Sequence, residues 1–321
     1  MDLNPELTAR IQKLEEKYQA MGQDITSYLD GLLYADYLTY WNYIHLDTLL
    51  TLQIPRTSFP DEKIFIMYHQ VTELYFRMIL HEFEQLAYRE KLTPDFFTAR
   101  VTRINRYFQN LTSSFDIMVD GMEPEQFMKY RMSLLPASGF QSAQYRMIEI
   151  SSTDFIRLVA KDKRAKYEGV SDIPFEEMFE DIYWKSGATE EATGKPTLTL
   201  KQFEQKYRDR LIALAKEYKN RNLLALYRNL PREDRENEQL VLALRQLDVN
   251  VNINWPLVHY KSAVRYLQRE PEDVAATGGT NWQKYLPPRF QKRIFYPGLW
   301  SAEELDNWGK QWVESVVRNK R

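Results

Sequence analysis

DEKIFIMYHQVTELYFRMILHEFEQLA, spanning Asp61–Ala87, sets the reading of the fold. Its apolar residues Ile64, Phe65, Tyr68, Val71, Leu74, Tyr75, Met78 and Ile79 recur at three- and four-residue steps. That period predicts a long helix with a broad buried face. The pattern repeats on both sides. Thr93 followed by Pro94 reads as an N-cap with proline in the first turn, opening a helix that runs to about Val119. Pro124 opens a shorter helix carrying Phe127, Tyr130 and Arg131. Thr199 with Gln202, and Ser301 with Glu304, have capping-box spacing. A further periodic stretch, Glu233–Gln268, is interrupted by Pro256. Strand signals are few, and no hairpin dipeptide sits between alternating apolar runs. The expected fold is therefore all-α, a single domain of long antiparallel helices over 37–321 preceded by a helical N-terminal arm over 1–36. Gly187–Pro196 (GATEEATGKP) and Ala275–Thr280 (AATGGT) read as loops.

Composition narrows the chemistry. The 321 residues are 44% hydrophobic, enough for a substantial core. Lys and Arg (43) nearly balance Asp and Glu (45), so no net field draws the chain to nucleic acid or an anionic membrane. The basic run Arg289–Arg293 reads as solvated helix surface. Cysteine is absent, which removes disulfides, Cys-ligated zinc, iron–sulfur clusters and thiol nucleophiles. The N-terminus lacks the apolar stretch of a signal peptide, and no window approaches the roughly 20 apolar residues of a membrane span. The expectation is a soluble, cytoplasmic protein.

Phosphate-cradling glycine motifs are missing. His81-Glu82-Phe83-Glu84 begins like a zinc-protease helix but has no second histidine four residues on. The four histidines are His45, His69, His81 and His259, and a haem or iron site would draw its strong ligand from these. Phe65 and His69 share a helix face at i, i+4, on a side that could border an aromatic ligand. The plainer alternative is a core histidine donating to a backbone carbonyl. His259 follows Trp255-Pro256-Leu257-Val258, where the proline frees a carbonyl four residues earlier; the kink either re-aims a ligand or adjusts packing. Arg131 lies four residues after Phe127. Its guanidinium suits two-point capture of a carboxylate, or else an ordinary surface ion pair. These features alone support an all-α protein able to bind haem or an aromatic ligand.

In order along the chain, four blocks resemble the tryptophan 2,3-dioxygenase family between about Tyr37 and Trp300. Phe127–Glu149, FMKYRMSLLPASGFQSAQYRMIE, is similar to the family's long FxxFR…L.P.SGFQS.QYR.IE signature. Phe65–Glu73 (FIMYHQVTE) is similar to its FI..HQ.sEL helix, and Tyr40–Leu50 (YWNYIHLDTLL) to its Y..YL.LD.LL segment. Trp255-x-x-x-His259 followed by Thr277-Gly278-Gly279 completes the set.

The resemblance implies haem b, one per subunit, active as Fe(II), and a dioxygenase that opens the indole ring of L-tryptophan with O2. It implies His259 as the axial iron ligand with Trp255 beside the cofactor, His69 near the indole NH, and Phe65 against the indole. Arg131 would pair with the substrate carboxylate, with Phe127, Leu134 and Ser138 lining the pocket. Thr277 would close over the ammonium. Tyr40 and Tyr43 would come from a neighbouring subunit of a homotetramer, which the N-terminal arm would reach. The segment after His259 departs from the family: HYKSAVRYLQREPEDVAATGGTNW is longer from histidine to threonine, alters the second half of the glycine loop, and follows an unusual Pro256. Loop closure and fine substrate choice rest on that segment. A related haem oxygenase for a substituted tryptophan or another aromatic amino acid, and a cofactor-free helical scaffold, are the competing readings.

Overall fold

The computed structural model describes residues 4–35, 38–134, 139–170, 174–190, 193–267 and 292–309. The chain divides into two compact units, Met1–Ile54 and Pro55–Arg321, a division later in the chain than 36/37. In the first unit, α1 (Pro5–Ala20) is capped by Asn4 and α2 (Ile25–Leu33) by Asp24. Each cap accepts a backbone N–H of the first turn, satisfying a donor that has no partner within its helix. Short helices α3 (Tyr40–Tyr43) and α4 (Leu46–Leu49) follow, hinged at His45, which takes a left-handed backbone conformation.

The second unit is built on α5 (Pro60–Ala87), which packs against α6 (Pro94–Ser114). Tyr68, Thr72, Phe76, Ile79, Phe83 and Leu86 form the buried face of α5. Val71 (45%), Leu74 (51%) and Met78 (43%) lie outside it, contrary to the periodicity reading. The apolar arc is wider than the part its neighbours cover, and these residues form its outer edge. Thr93 caps α6 through the N–H of Phe96 (3.3 Å), as expected. The helix stops at Ser114, however, and a separate turn, α7 (Asp116–Val119), follows Phe115.

Helix α8 (Pro124–Tyr130) starts at its proline and tightens into a 3-10 turn, Arg131–Leu134. Then come α9 (Ala143–Ser152), which also packs on α5, α10 (Phe175–Glu180) and α11 (Tyr183–Ser186). Next is α12 (Leu198–Glu217), capped not by Thr199 but by Thr197, whose side chain accepts the N–H of Leu200 at 3.3 Å. Thr199 is buried within the first turn. The stretch read as an open loop, Gly187–Pro196, is closed by a bridge between Thr189 and Pro196, and Ala188 is fully buried. That bridge and one between Val159 and Ile182 are the β pairings among the described residues.

Helices α13 (Leu223–Asn229) and α14 (Arg232–Arg235) lead to α15 (Glu238–Val249), which lies along α6. The helix does not break at its end. It widens into a π-turn, Asn250–Asn254, and continues as α16 (Trp255–Leu267) with Pro256 at its second position. Because the turn is π, the carbonyl facing the missing proline N–H is five residues back, at Val251, rather than four.

The chain returns at 292–309, held by two buried charges. Arg293 pairs with Glu149 of α9 and is buried, so this end of the basic run is not solvated surface. Asp248 accepts from the N–H groups of Phe295 (2.9 Å) and Tyr296 (3.0 Å), from Trp300 Nε1 (3.1 Å) and from Asn252 (2.7 Å). Ser301 and Glu304 form the expected capping box over Ala302–Asp306. Among the described residues no helix is long and apolar enough to cross a membrane.

Candidate active site

Two histidines with the same local geometry organise the site. On α5 the Nδ1 of His69 lies 2.7 Å from the carbonyl of Phe65; on α16 the Nδ1 of His259 lies 2.8 Å from that of Trp255. A carbonyl can only accept, so each Nδ1 carries the proton. In the neutral ring each Nε2 then keeps a free lone pair. The helix dictates this bond, since the residue four positions earlier presents its carbonyl beside the ring. The plainer reading of His69 as a core histidine donating to a backbone carbonyl holds for the carbonyl bond at Nδ1 but not for burial in the core, since the residue is exposed.

Both rings stay neutral near pH 7. Burial pushes His259 down to about 4, against the Trp255 carbonyl bond and helped by the nearby His69. Burial also holds His69 below its ordinary value, opposed by the Phe65 bond and the Glu73 carboxylate. His69 is an exposed residue of α5.

Aromatic rings connect the two histidines. Phe65 lies 4.0 Å from His69 between centroids, 6.4 Å from Phe127 and 5.9 Å from Tyr130. Phe127 in turn packs on Tyr266 of α16 at 4.6 Å. Phe115, at the break between α6 and α7, touches both Tyr68 (5.8 Å) and His259 (4.4 Å). Trp255 closes on His259 from another side at 4.5 Å. Arg131 is buried directly after Tyr130, and Leu134 is half-buried at the end of the same 3-10 turn. The structure therefore gathers Phe65, His69, Phe127, Trp255 and His259 into one connected set, with Arg131 on the turn that extends the Phe127 helix. Tyr40 and Tyr43 are strongly exposed in the N-terminal unit. Ser138, Thr277 and the Ala275–Thr280 loop lie outside the described residues.

Phe115 and Tyr266 also belong to this set, although neither is among the sequence candidates. Tyr266 follows His259 by seven residues, on the same helical face, and that spacing could have identified it. Phe115 carries no such signal, because it acts through a helix break that periodicity reads through. A separate cavity of about 220 Å3 is lined by Phe155, Tyr167, Phe175, Met178 and Tyr218 among others. It includes no histidine and none of the candidate residues, so size alone does not make it the reactive site.

A family model described as tryptophan 2,3-dioxygenase matches residues 30–208, more than half of the chain. The chain belongs to the tryptophan 2,3-dioxygenase family. Among its relatives, the tryptophan 2,3-dioxygenase of Ruegeria sp. (strain TM1040) is 40% identical over 120 residues, 36% of this chain and 42% of the relative. That of Ruegeria pomeroyi is 38% identical over 118 residues, 36% of this chain and 42% of the relative. That of Anaeromyxobacter sp. (strain K) is 40% identical over 113 residues, 35% and 42% respectively. The matched portion thus spans less than half the length of these relatives. The family match carries Phe65, His69, Phe127 and Arg131 and ends before Trp255 and His259. For those two residues the local geometry is the independent support.

That geometry fits the family's haem. Among the described residues no group of three or more His, Cys, Asp or Glu could hold a metal ion. An iron here would take most of its ligands from a macrocycle and an axial bond from one imidazole. The neutral His259, with Nδ1 held and Nε2 free, has the protonation state that such a bond requires.

Proposed function

We propose that this protein is a haem-dependent dioxygenase that converts L-tryptophan and O2 into N-formyl-L-kynurenine. The observation that carries the reading is the pair of neutral histidines, each tied through Nδ1 and open at Nε2, joined by a continuous aromatic wall. His259 would hold haem b, one per subunit, through its free Nε2, with Trp255 packed beside its ring. In the Fe(II) state the bound cofactor would supply the oxygen-activating chemistry.

The protein's own residues select, orient and desolvate the substrate. Phe65 and Phe127 offer an apolar surface for the indole, whose burial contributes about 2–3 kcal/mol. Arg131 holds the carboxylate by charge-assisted hydrogen bonds, and Leu134 and Ser138 line the pocket. Thr277 meets the ammonium. His69 Nε2 can only accept while Nδ1 donates to Phe65, so it receives the indole N–H and fixes the ring. Full proton removal is unnecessary and unfavourable: indole N–H is a far weaker acid than an imidazolium, and burial lowers the basicity of His69 further. Held this way, C2 and C3 of the indole face the oxygen in a near-attack arrangement. The C2–C3 bond breaks, each carbon gains one oxygen atom, and no external reductant is consumed.

Tyr40 and Tyr43, exposed in the N-terminal unit, are assigned to a neighbouring subunit's pocket in a cytoplasmic homotetramer. The altered sequence after His259 favours testing a second substrate class, substituted tryptophans and other aromatic amino acids. The test is a spectrum and a product mass. An intense Soret band that shifts on adding L-tryptophan, with both atoms of labelled O2 in a ring-opened product, is expected. A colourless protein after expression with ample haem would leave a helical scaffold, and single-oxygen addition would indicate a hydroxylase.

A further inference from the structure

The π-turn between α15 and α16 has buried polar partners that an ordinary packing bend does not need. A π-turn inserts one residue into the helix, so everything after it is rotated by about 100° relative to an uninterrupted α-helix. His259 is five residues beyond the end of this turn, and its direction depends on the turn being kept. Within the turn, Trp255 N–H bonds the carbonyl of Asn250 in the five-residue register. The next donor in that register would be residue 256, but Pro256 has no N–H. The carbonyl it would have reached belongs to Val251, and it is filled from another element: the hydroxyl of Tyr145 on α9 donates to it at 2.9 Å.

A second set of contacts fixes the start of the turn. Asn250 donates to Asn105 of α6 at 3.1 Å, and Asn105 donates to the carbonyl of Ala243 at 2.9 Å. The side-chain oxygen of Asn250 accepts from Gln246 (3.1 Å) and Asn254 (2.9 Å). Asn105 and Asn250 are both buried. Leaving such amides or the Val251 carbonyl without partners would cost more than the hydrogen bonds themselves contribute.

We infer that Tyr145 is a positioning residue for His259: its hydroxyl replaces the N–H that Pro256 lacks and so holds the π-turn that aims the imidazole. The Asn105–Asn250 pair fixes the other end of the same turn. The inference rests on the reading of His259 as the axial ligand of haem b. Tyr145 also faces the Arg293 guanidinium, so the turn is connected to the buried ion cluster of α9.

The test uses the full-length protein loaded with haem b and reads haem transfer to an apomyoglobin scavenger and the ferrous iron–histidine stretching band. Tyr145→Phe removes only the hydroxyl; it is expected to speed haem transfer about fivefold and to shift or broaden the band. Pro256→Ala returns a backbone N–H, so in that background the Tyr145→Phe effect should fall below about twofold. An unchanged transfer rate and band in Tyr145→Phe, or the same effect with and without Pro256, would overturn the inference. His259→Ala separates this from the underlying reading. If that variant keeps the parent's band, the axial assignment itself fails. If it loses the band while Tyr145→Phe does not alter it, only the role of Tyr145 is wrong.

Discussion

Glu149→Gln should be far more damaging than removal of either arginine it binds. The carboxylate lies fully buried on α9 between two guanidiniums. Arg146 reaches it at 2.9 Å and Tyr183 at 2.5 Å, and Arg293 contacts both Glu149 and Tyr183. Burial raises the Tyr183 hydroxyl well above its ordinary value, so it remains a neutral donor, and the cluster carries two positive charges against one negative. Each arginine–carboxylate attraction at about 4 Å and an effective dielectric near 20 is roughly 4 kcal/mol before desolvation is counted. Arg293→Met loses one such attraction but also removes a buried cation, leaving a neutral Arg146–Glu149 pair. A net loss of about 1–3 kcal/mol follows. Arg146→Met is similar, with Arg293 as the remaining partner. Glu149→Gln loses both attractions and leaves two cations facing each other, for a loss of at least about 3–5 kcal/mol. Urea unfolding at pH 7, with the slopes confirmed equal, measures the order. Equal losses for Glu149→Gln and Arg293→Met would refute the view that this carboxylate alone balances both cations.

Asp248 provides a pH test. Its burial, opposed by hydrogen bonds from Phe295, Tyr296, Asn252 and Trp300, raises it to about 6. The folded protein thus binds more protons than the unfolded chain between about pH 4 and 6, and this group's contribution to stability declines as pH rises through that window. The stability difference between wild type and Asp248→Asn should shrink by about 2–3 kcal/mol across it; an unchanged difference by thermal or urea unfolding would rule out the raised value. On the proposed role of His69 in positioning the indole, His69→Ala should lower turnover without abolishing it; complete loss with haem retained would contradict that role. Arg131→Ala should weaken L-tryptophan binding, read from the Soret shift, by more than about tenfold. An unchanged affinity would remove Arg131 from the carboxylate. Thr197→Ala should cost about 1 kcal/mol through loss of the α12 cap, and no change would return that role to another residue.

The sequence by itself determined the helical class, the starts at Pro94 and Pro124, and the capping box at Ser301, and it proposed the residue types of the candidate site. Each of these is written in a local period or in a short spacing of a few residues. The four-block resemblance also singles out His69 and His259 among the four histidines. Tertiary structure decided which stripe of α5 is covered, because the covering elements come from distant parts of the chain. It placed Arg293 inside beside Glu149, although a basic run looks solvated when its partner, 144 residues away, is unseen. It also turned Pro256 from a simple kink into the edge of a π-turn, since the hydroxyl that replaces its missing donor belongs to Tyr145, on another helix. Local patterns fix what a segment can form; only neighbours brought together by folding fix which of its buried polar groups are satisfied, and where His259 points.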